Sequence, residues 1–281
     1  MWKMIAISVG LVMAGFGGSR AMDQTVDGKH ASDVFVDPPV AQLARAACAD
    51  NVAKVNELIS QGVSPNARGA NGMTLLFWAL DCGKPETVEA LLKAGADPNL
   101  AIGTAETPLY RAASYKDPAY LRLMLKYGGD PNMPMADGDT VLRVAFMAGK
   151  YGSQWQNYYM LLDAGVDVNL PERGAGGIGI ADSAAVSGFP SKAVELLERG
   201  YSYDLYGLAL SIYGSGMNTV TTEHPEPLRN EPEYKYIGIA ARMLKERGVD
   251  TEKVKRQIDD NDKEVGAGLK QDYSFENDNP E

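Results

Sequence analysis

Side chains that commonly build catalytic and metal sites are scarce in this sequence, whose 281 residues include two cysteines and two histidines. Two cysteines are too few for a multi-cysteine zinc cage or a disulfide-dense scaffold. The chain also lacks a Gly-x-Ser-x-Gly elbow, a phosphate-binding loop and a His-Glu-x-x-His zinc helix. We therefore predict that the protein is not an enzyme, and that it has no catalytic residues, metal site or cofactor.

One glycine-rich stretch matches a cofactor motif in spacing alone. Residues 174–179, Gly-Ala-Gly-Gly-Ile-Gly, fit the dinucleotide fingerprint. That motif works only where a strand precedes it and a helix N-terminus receives the pyrophosphate. Here it follows Leu-Pro-Glu-Arg at 170–173, in a turn between repeats. We interpret it as a flexible turn.

Basic residues are also in short supply: 27 lysines and arginines face 37 acidic residues, for a net charge of -10. Nucleic acid and anionic lipid surfaces are bound through dense basic patches, so neither is an expected partner. The 45% apolar content is enough for a folded core. The charge favours a partner protein with a basic surface.

The first residues resemble an export signal. Lys3 precedes an apolar run over 5–18 that is too short to span a bilayer comfortably, and Ser19-Arg20-Ala21 offers small residues for cleavage. We predict a signal peptide over 1–21, with an uncleaved anchor or a core helix as the alternatives. No cysteine follows the run, so we expect no lipid anchor and no other stable membrane anchor. This pattern predicts a bacterial protein located in the periplasm.

A period of 33 residues dominates the middle of the chain. Asn66, Asn99 and Asn132 are spaced by 33 residues, and Asn169 follows after 37. A threonine that begins the unit keeps the same period, at positions 74, 107 and 140. Two independent motifs with one period indicate a repeat protein.

Each repeated position has a physical reason. The threonine can cap the first helix of a unit by accepting from free backbone N–H groups. Paired apolar residues such as Leu91-Leu92 give the second helix its buried face. A glycine then ends that helix by adopting the left-handed conformation, at positions 62, 95, 128 and 165.

These motifs resemble the ankyrin-repeat family, whose Thr-Pro-Leu-His-x-Ala signature is nearly reproduced at 107–112 with Tyr110 in the histidine place. The resemblance is close over 68–169 and looser over 41–67 and 170–250. It implies an all-α fold, an ankyrin-repeat solenoid of about five to six helix pairs with degenerate capping repeats. We expect a polar segment over 22–38, the repeat domain over 39–250 and an acidic flexible tail over 251–281.

Two insertions interrupt the period, near 150–159 and 214–235. The first is rich in aromatic residues and the second in proline. Long loops on a repeat array are commonly functional, although aromatic residues beside a helix end also serve local packing. The family usually binds its partners through turn tips and exposed positions of first helices. From the insertions and this register we predict the following partner contacts: Asp81, Glu106, Tyr115, Asp137, Met147, Tyr151, Trp155, Tyr158, His224 and Glu226.

Cys48 and Cys82 are candidates for a disulfide. They are 34 residues apart, close to one repeat, so they should lie on adjacent first helices. Packed helices are about 8–10 Å apart, whereas a disulfide needs Cα atoms within about 7 Å. A bridge therefore requires the helices to lean together, and the sequence leaves both outcomes open.

The resemblance implies a non-catalytic module that holds another protein. Among exported bacterial ankyrin proteins, the family suggests immunity proteins that neutralise secreted antibacterial toxins such as phospholipase effectors. An alternative is a scaffold that stabilises or protects a periplasmic enzyme such as catalase. No individual residue distinguishes these two roles.

Overall fold

The computed structural model describes residues 25–277 except 27, 104–105, 134, 136–137, 153, 172–176, 215–218, 221–230, 266–269 and 272. Two compact units divide the chain, one ending at Pro131 and the other beginning at Asn132. The predicted signal peptide over 1–21 lies outside the described residues. No helix in the described part is long and apolar enough to cross a membrane.

Helices form almost all of the regular structure that is described. The first unit contains α1 Ala31–Val34, α2 Pro38–Cys48, α3 Val52–Ser60, α4 Leu75–Asp81, α5 Pro85–Lys93, α6 Pro108–Ala113 and α7 Pro118–Lys126, with a short 3-10 helix at Ala70–Gly72. The second unit contains α8 Val141–Gly152, α9 Gln156–Asp163, α10 Ile180–Val186, α11 Pro190–Glu198, α12 Leu205–Tyr213, α13 Tyr234–Glu246 and α14 Thr251–Val265, with a 3-10 helix at Ser274–Asn277. Two short strands, Thr219–Val220 and Lys270–Gln271, pair antiparallel.

The helices stack in pairs within each unit. In the first unit α2, α4 and α6 pack side by side, as do α3, α5 and α7. In the second unit α10 packs against both α8 and α12, and α11 packs against α13. The described chain thus contains six helix pairs: α2/α3, α4/α5, α6/α7, α8/α9, α10/α11 and α12/α13. The predicted all-α fold of stacked helix pairs is confirmed.

Thr74, Thr107 and Thr140 cap first helices as predicted. The hydroxyl oxygen of each accepts from the backbone N–H three residues later, at 3.1 Å in all three cases. The glycines at 62, 95, 128 and 165 all have positive φ, between 78° and 96°. The threonines therefore directly precede first helices, and the glycines lie two residues beyond the ends of second helices.

Asparagine side chains join successive repeats at the turns. Asn66 Nδ2 donates to the carbonyl of Gly95 at 2.8 Å, and Asn66 Oδ1 accepts from the N–H of Asp97 at 2.8 Å. Asn99 makes the same two bonds to Gly128 and Asp130, at 2.9 and 2.8 Å. The asparagine spacing, which gave the repeat period in the sequence, is thus also the period of a hydrogen bond between repeats.

In the second unit the same bonds extend the pattern beyond the regular repeats. Asn132 Oδ1 accepts from the N–H of Asp167 at 2.7 Å. Asn169 binds the carbonyl of Gly200 at 3.3 Å and the N–H of Ser202 at 2.7 Å. The degenerate unit after Asn169 is therefore joined to its neighbour in the same way as the regular ones.

The N-terminal segment over 22–38, predicted to be polar, contributes apolar side chains to the core. Within 22–38, Ala31, Val34 and Phe35 are buried, and the Phe35 ring packs edge-on against Trp78 with centroids 5.7 Å apart. A Cβ at Gly69 would lie 2.6 Å from the carbonyl oxygen of Val34. This short segment packs against α2 and against Trp78 of α4.

The expectation of a flexible tail over 251–281 is wrong for the described residues there. Helix α14 buries Val254 and Ile258, and the segment after it buries Phe275. Val254 and Ile258 are four residues apart and therefore share one helix face. The acidic composition of the whole segment hides these few apolar positions.

The first insertion lengthens a helix instead of forming a separate loop. Helix α8 has 12 residues, whereas α4 has 7 and α6 has 6. It continues through Tyr151 to Gly152, and α9 begins at Gln156. The second insertion, near 214–235, falls mostly outside the described residues.

A buried carboxyl group, that of Asp182, lies in the first turn of α10. Asp182 is 2% exposed, and Tyr201 donates its hydroxyl hydrogen to Asp182 Oδ2 at 2.6 Å. Burial raises the pKa of Asp182 to about 6, an effect larger than the opposing one of the Tyr201 hydrogen bond. The folded chain therefore holds this proton more tightly than the unfolded chain does.

Replacing Gly95 with valine should destabilise the first unit. Gly95 has φ of 92°, and no heavy atom lies within 4 Å of an added Cβ, so the cost arises from the backbone and not from a clash. We expect a loss of about 1–2 kcal/mol or more, measured by urea unfolding. Gly152→Val is the control, because Gly152 also has open space around it but no positive φ. Equal stability of the two variants would contradict this account.

The contribution of Asp182 to stability should depend on pH. Its folded pKa of about 6 lies above the ordinary value of 3.8, so this contribution is complete below about pH 3.8 and is lost as the pH rises through 6. Between about pH 4 and pH 7 the wild type should lose about 2 kcal/mol relative to Asp182→Asn. Urea unfolding of both proteins across this range measures the difference. A difference that is constant with pH would show that Asp182 titrates normally.

Candidate protein-binding surface

In the first unit, three predicted contact residues surround one arginine. Arg111 of α6 lies 3.2 Å from Asp81 of α4 and 3.4 Å from Glu106, measured between guanidinium nitrogens and carboxylate oxygens. Tyr115 donates its hydroxyl hydrogen to Asp81 at 2.9 Å. The Arg111 guanidinium also lies 5.6 Å from the centroid of the Phe77 ring. The structure thus brings Asp81, Glu106 and Tyr115 into one network.

Most of this network is occupied with contacts inside the repeat stack. The Asp81 side chain is 6% exposed. Burial, followed by the charge of Asp81, raises the pKa of Tyr115 above its ordinary value, and burial raises the pKa of Glu106. Sequence reasoning did not select Arg111, although this residue lies within the ankyrin-like signature at 107–112. The network links α4 to α6 and leaves mainly Glu106 and Arg111 at the surface.

In the second unit, exposed apolar side chains lie at the ends of two adjacent first helices. Tyr151, near the end of α8, is 74% exposed, and Val186, the last residue of α10, is 64% exposed. Met147 lies one turn before Tyr151 on the same face of α8 and is half-buried. We call Met147, Lys150, Tyr151 and Val186 the α8–α10 surface.

Lys150 connects the two parts of this surface. Its ammonium group donates to the Ser187 hydroxyl at 3.0 Å and lies 5.1 Å from the centroid of the Tyr151 ring. The ends of α8 and α10 therefore carry apolar area beside one positive charge. Sequence reasoning selected Met147 and Tyr151 but not Val186 or Lys150. The repeat register does predict an exposed position for Val186, equivalent to that of Met147.

Trp155 and Tyr158 have a different environment. Tyr158 is 0% exposed, so it is wrong as a surface contact. Trp155 is half-buried, and its ring packs against Phe146, Tyr158 and Phe189 with centroids 5.3–5.7 Å apart. A Cβ at Gly149 would lie 2.5 Å from the Trp155 ring. These aromatic residues serve local packing, the alternative that the sequence left open.

Lys192 of α11 covers this aromatic cluster. Its ammonium group lies 5.1 Å from the ring centroid of Trp155, 5.5 Å from that of Tyr158 and 4.3 Å from that of Tyr159. It also pairs with Glu195 at 3.2 Å. The cluster joins α9 to α11, and sequence reasoning gave no sign of the role of Lys192.

Asp137, His224 and Glu226 all lie outside the described residues. Within the described part, no group of three or more histidine, cysteine, aspartate or glutamate side chains could hold a metal ion.

Cys48 and Cys82 form a disulfide between adjacent first helices. Cys48 ends α2, Cys82 directly follows α4, and their Cα atoms are 5.1 Å apart. The two helix ends approach more closely than typical packed helices. The bridge ties the first repeat to the second.

Comparison with known proteins agrees with this architecture. Residues 41–102, which run from within α2 to beyond α5, match the family model for ankyrin repeats in three copies. This part of the chain is similar to ankyrin repeats. No curated protein matches the sequence. Ankyrin repeats indicate a protein–protein interaction module, which is the function that the matched family supports.

Trp155→Ala and Tyr151→Ala should separate packing from surface. Trp155 has four ring or backbone neighbours in the cluster, so its removal should cost about 2–4 kcal/mol. Tyr151 is mostly exposed, so its removal should change stability by less than about 0.5 kcal/mol. Thermal and urea unfolding of the two variants provide the test. A destabilised Tyr151→Ala with an unaffected Trp155→Ala would reverse the assignment.

Proposed function

We propose that this ankyrin-repeat protein binds a partner protein through its α8–α10 surface. The observation that carries the proposal is the exposure of Tyr151 and Val186 at the ends of neighbouring first helices. Large apolar side chains exposed on neighbouring helices are a feature of binding sites, since burying them against a partner removes their area from water. A tyrosine adds rigid contact area at a small cost in side-chain entropy.

The charge of the protein favours a particular kind of partner. The net charge of -10 would speed the approach of a basic protein, because long-range attraction acts on the encounter more than on the final contact. At the surface itself Lys150 offers a donor to a carbonyl or carboxylate group. The proposed partner is therefore basic overall and presents an apolar patch with an acceptor beside it.

We further propose that binding takes place in the bacterial periplasm. The disulfide between Cys48 and Cys82 supports this location, because such bonds persist mainly in oxidising compartments. The short apolar run over 5–18 behind Lys3 supports it independently as an export signal.

Within this location, the proposed role is to bind and neutralise a secreted antibacterial toxin, such as a phospholipase effector. The second candidate is the stabilisation of a periplasmic enzyme such as catalase. Both roles rest on the resemblance to exported ankyrin proteins and require the same kind of surface. They differ in what happens to the partner, whose activity is blocked in one case and preserved in the other.

The proposed location predicts the state of the cysteines in living cells. When intact cells are treated with a thiol-alkylating reagent before lysis, Cys48 and Cys82 should stay unmodified. Both should become modified when the protein is reduced first. Mass spectrometry of the protein reads the number of added groups. Two alkylated cysteines without reductant, together with recovery in the cytoplasmic fraction, would contradict export.

The proposed surface predicts a selective loss of binding. A partner captured from the periplasm with the mature protein should bind Tyr151→Ala/Val186→Ser at least about tenfold more weakly than wild type in calorimetry. Val36→Ser is the matched control, since Val36 is 88% exposed but lies in the first unit. Unchanged affinity in the double variant would move the interface elsewhere.

Coexpression with the captured partner then separates the two roles. Immunity predicts that a toxic partner loses its toxicity when the wild-type protein is present, and regains it with the double variant. Enzyme protection predicts that the partner keeps its activity longer under heat or oxidant with the wild-type protein.

A further inference from the structure

The end of the described chain lies against the last helices of the second unit. Phe275 is 1% exposed, and its ring is 5.3 Å from that of Tyr213 of α12, centroid to centroid. The ring of Tyr273 lies 6.0 Å from the same tyrosine. Residues 273–277 thus occupy a groove formed by α12, α13 and α14, which we call the terminal groove.

The groove also recognises the acidic residue that follows the phenylalanine. Tyr213 donates its hydroxyl hydrogen to Glu276 Oε1 at 2.7 Å, and the Lys255 ammonium group of α14 pairs with Glu276 Oε2. Tyr273 donates its hydroxyl hydrogen to Asp259 of α14 at 3.0 Å. An apolar pocket beside a cation and a hydroxyl donor fits an aromatic residue followed by a carboxylate.

A glycine in α13 makes room for the backbone of this segment. A Cβ on Gly238 would lie 2.8 Å from the carbonyl oxygen of Phe275. Glycine inside a helix costs about 1 kcal/mol relative to alanine, so the local preference of the helix is against it. The close approach of Phe275 gives this position a structural reason.

The contacts of the segment resemble those of a bound peptide more than those of a repeat. Within the segment, the Glu276 N–H donates to the Tyr273 carbonyl at 3.2 Å, so this backbone hydrogen bond is internal. The contacts to α12 and α14 pass through side chains. A segment held in this manner can leave without unfolding the helices beneath it.

We propose that the terminal groove is a second peptide-binding site, in which residues 273–277 are a built-in ligand. The site takes an aromatic residue followed by an acidic one from a partner protein, which binds when it displaces the chain's own segment. This proposal does not rest on the α8–α10 surface, which contains none of the groove residues.

The test uses the full chain and a labelled peptide with the sequence of residues 270–281. Phe275→Ala/Glu276→Ala in the chain should release the segment, and this open variant should bind the peptide at least about tenfold more tightly than wild type. A peptide with the same two alanines should not bind. Fluorescence anisotropy measures both affinities, and circular dichroism checks that the open variant is folded.

Gly238→Ala in the open variant is the matched control. Alanine is a better helix former than glycine, so α13 is retained, while the added Cβ obstructs the peptide backbone. We expect at least about tenfold weaker peptide binding. Unchanged affinity would place the peptide outside the groove and overturn the proposal.

Hydrogen exchange of the wild-type chain gives a second measurement that needs no variant. The Glu276 amide should exchange at least about tenfold faster than the amides of α13, because a ligand opens without the unfolding of its site. Equal rates would make the segment an integral part of the fold. A folded open variant that binds no peptide up to about 1 mM would also overturn the proposal.

The oligomeric state decides between two sources of the segment. The wild type should be a monomer in light scattering. A wild-type dimer that becomes a monomer when Phe275 and Glu276 are replaced would show exchange between two copies, and the proposal of a separate partner would be wrong.

Discussion

Hydrogen bonds from a few asparagine side chains set the spacing of successive repeats in this chain. The side chains of Asn66 and Asn99 each bind one carbonyl and one N–H of the following repeat. Those backbone groups lie in turns, where no helix or strand can satisfy them, and unpaired backbone groups are costly. One side chain thus fixes the register of two neighbouring repeats. The glycine whose carbonyl it binds must also end its helix in the left-handed conformation.

Local rules explain why so much of the fold was predictable. A threonine cap and a terminal glycine act within a few residues of themselves, so Thr74 and Gly95 predict their own local structure. Asn99 acts on the next repeat, and its place was predictable from the repeat period. The aromatic residue at 155 could not be assigned in this way. Its neighbours include Phe189, which is distant in sequence, and the gap left by Gly149. Whether it faces a partner or a neighbouring helix depends on tertiary packing.

The misjudged end of the chain has a related cause. Composition averages over a segment, whereas packing needs only a few apolar side chains at the right spacing. Val254 and Ile258 are buried on one face of α14, and Phe275 is buried in the segment after it. Likewise, Tyr151 and Tyr158 lie in the same insertion, near 150–159, but have opposite exposure. The candidate surface was therefore predictable in its region and its helices, and only partly in its residues.

The extra length of α8 shapes what can be bound beside it. Helix α8 has five more residues than α10, which corresponds to a projection of about 7–8 Å. Tyr151 lies on this projecting turn, while Val186 lies at the end of the shorter helix. The two side chains thus stand on a step, with Tyr151 above and Val186 at its foot. A flat protein face would touch the upper edge alone, whereas a protruding corner or loop could rest on both levels.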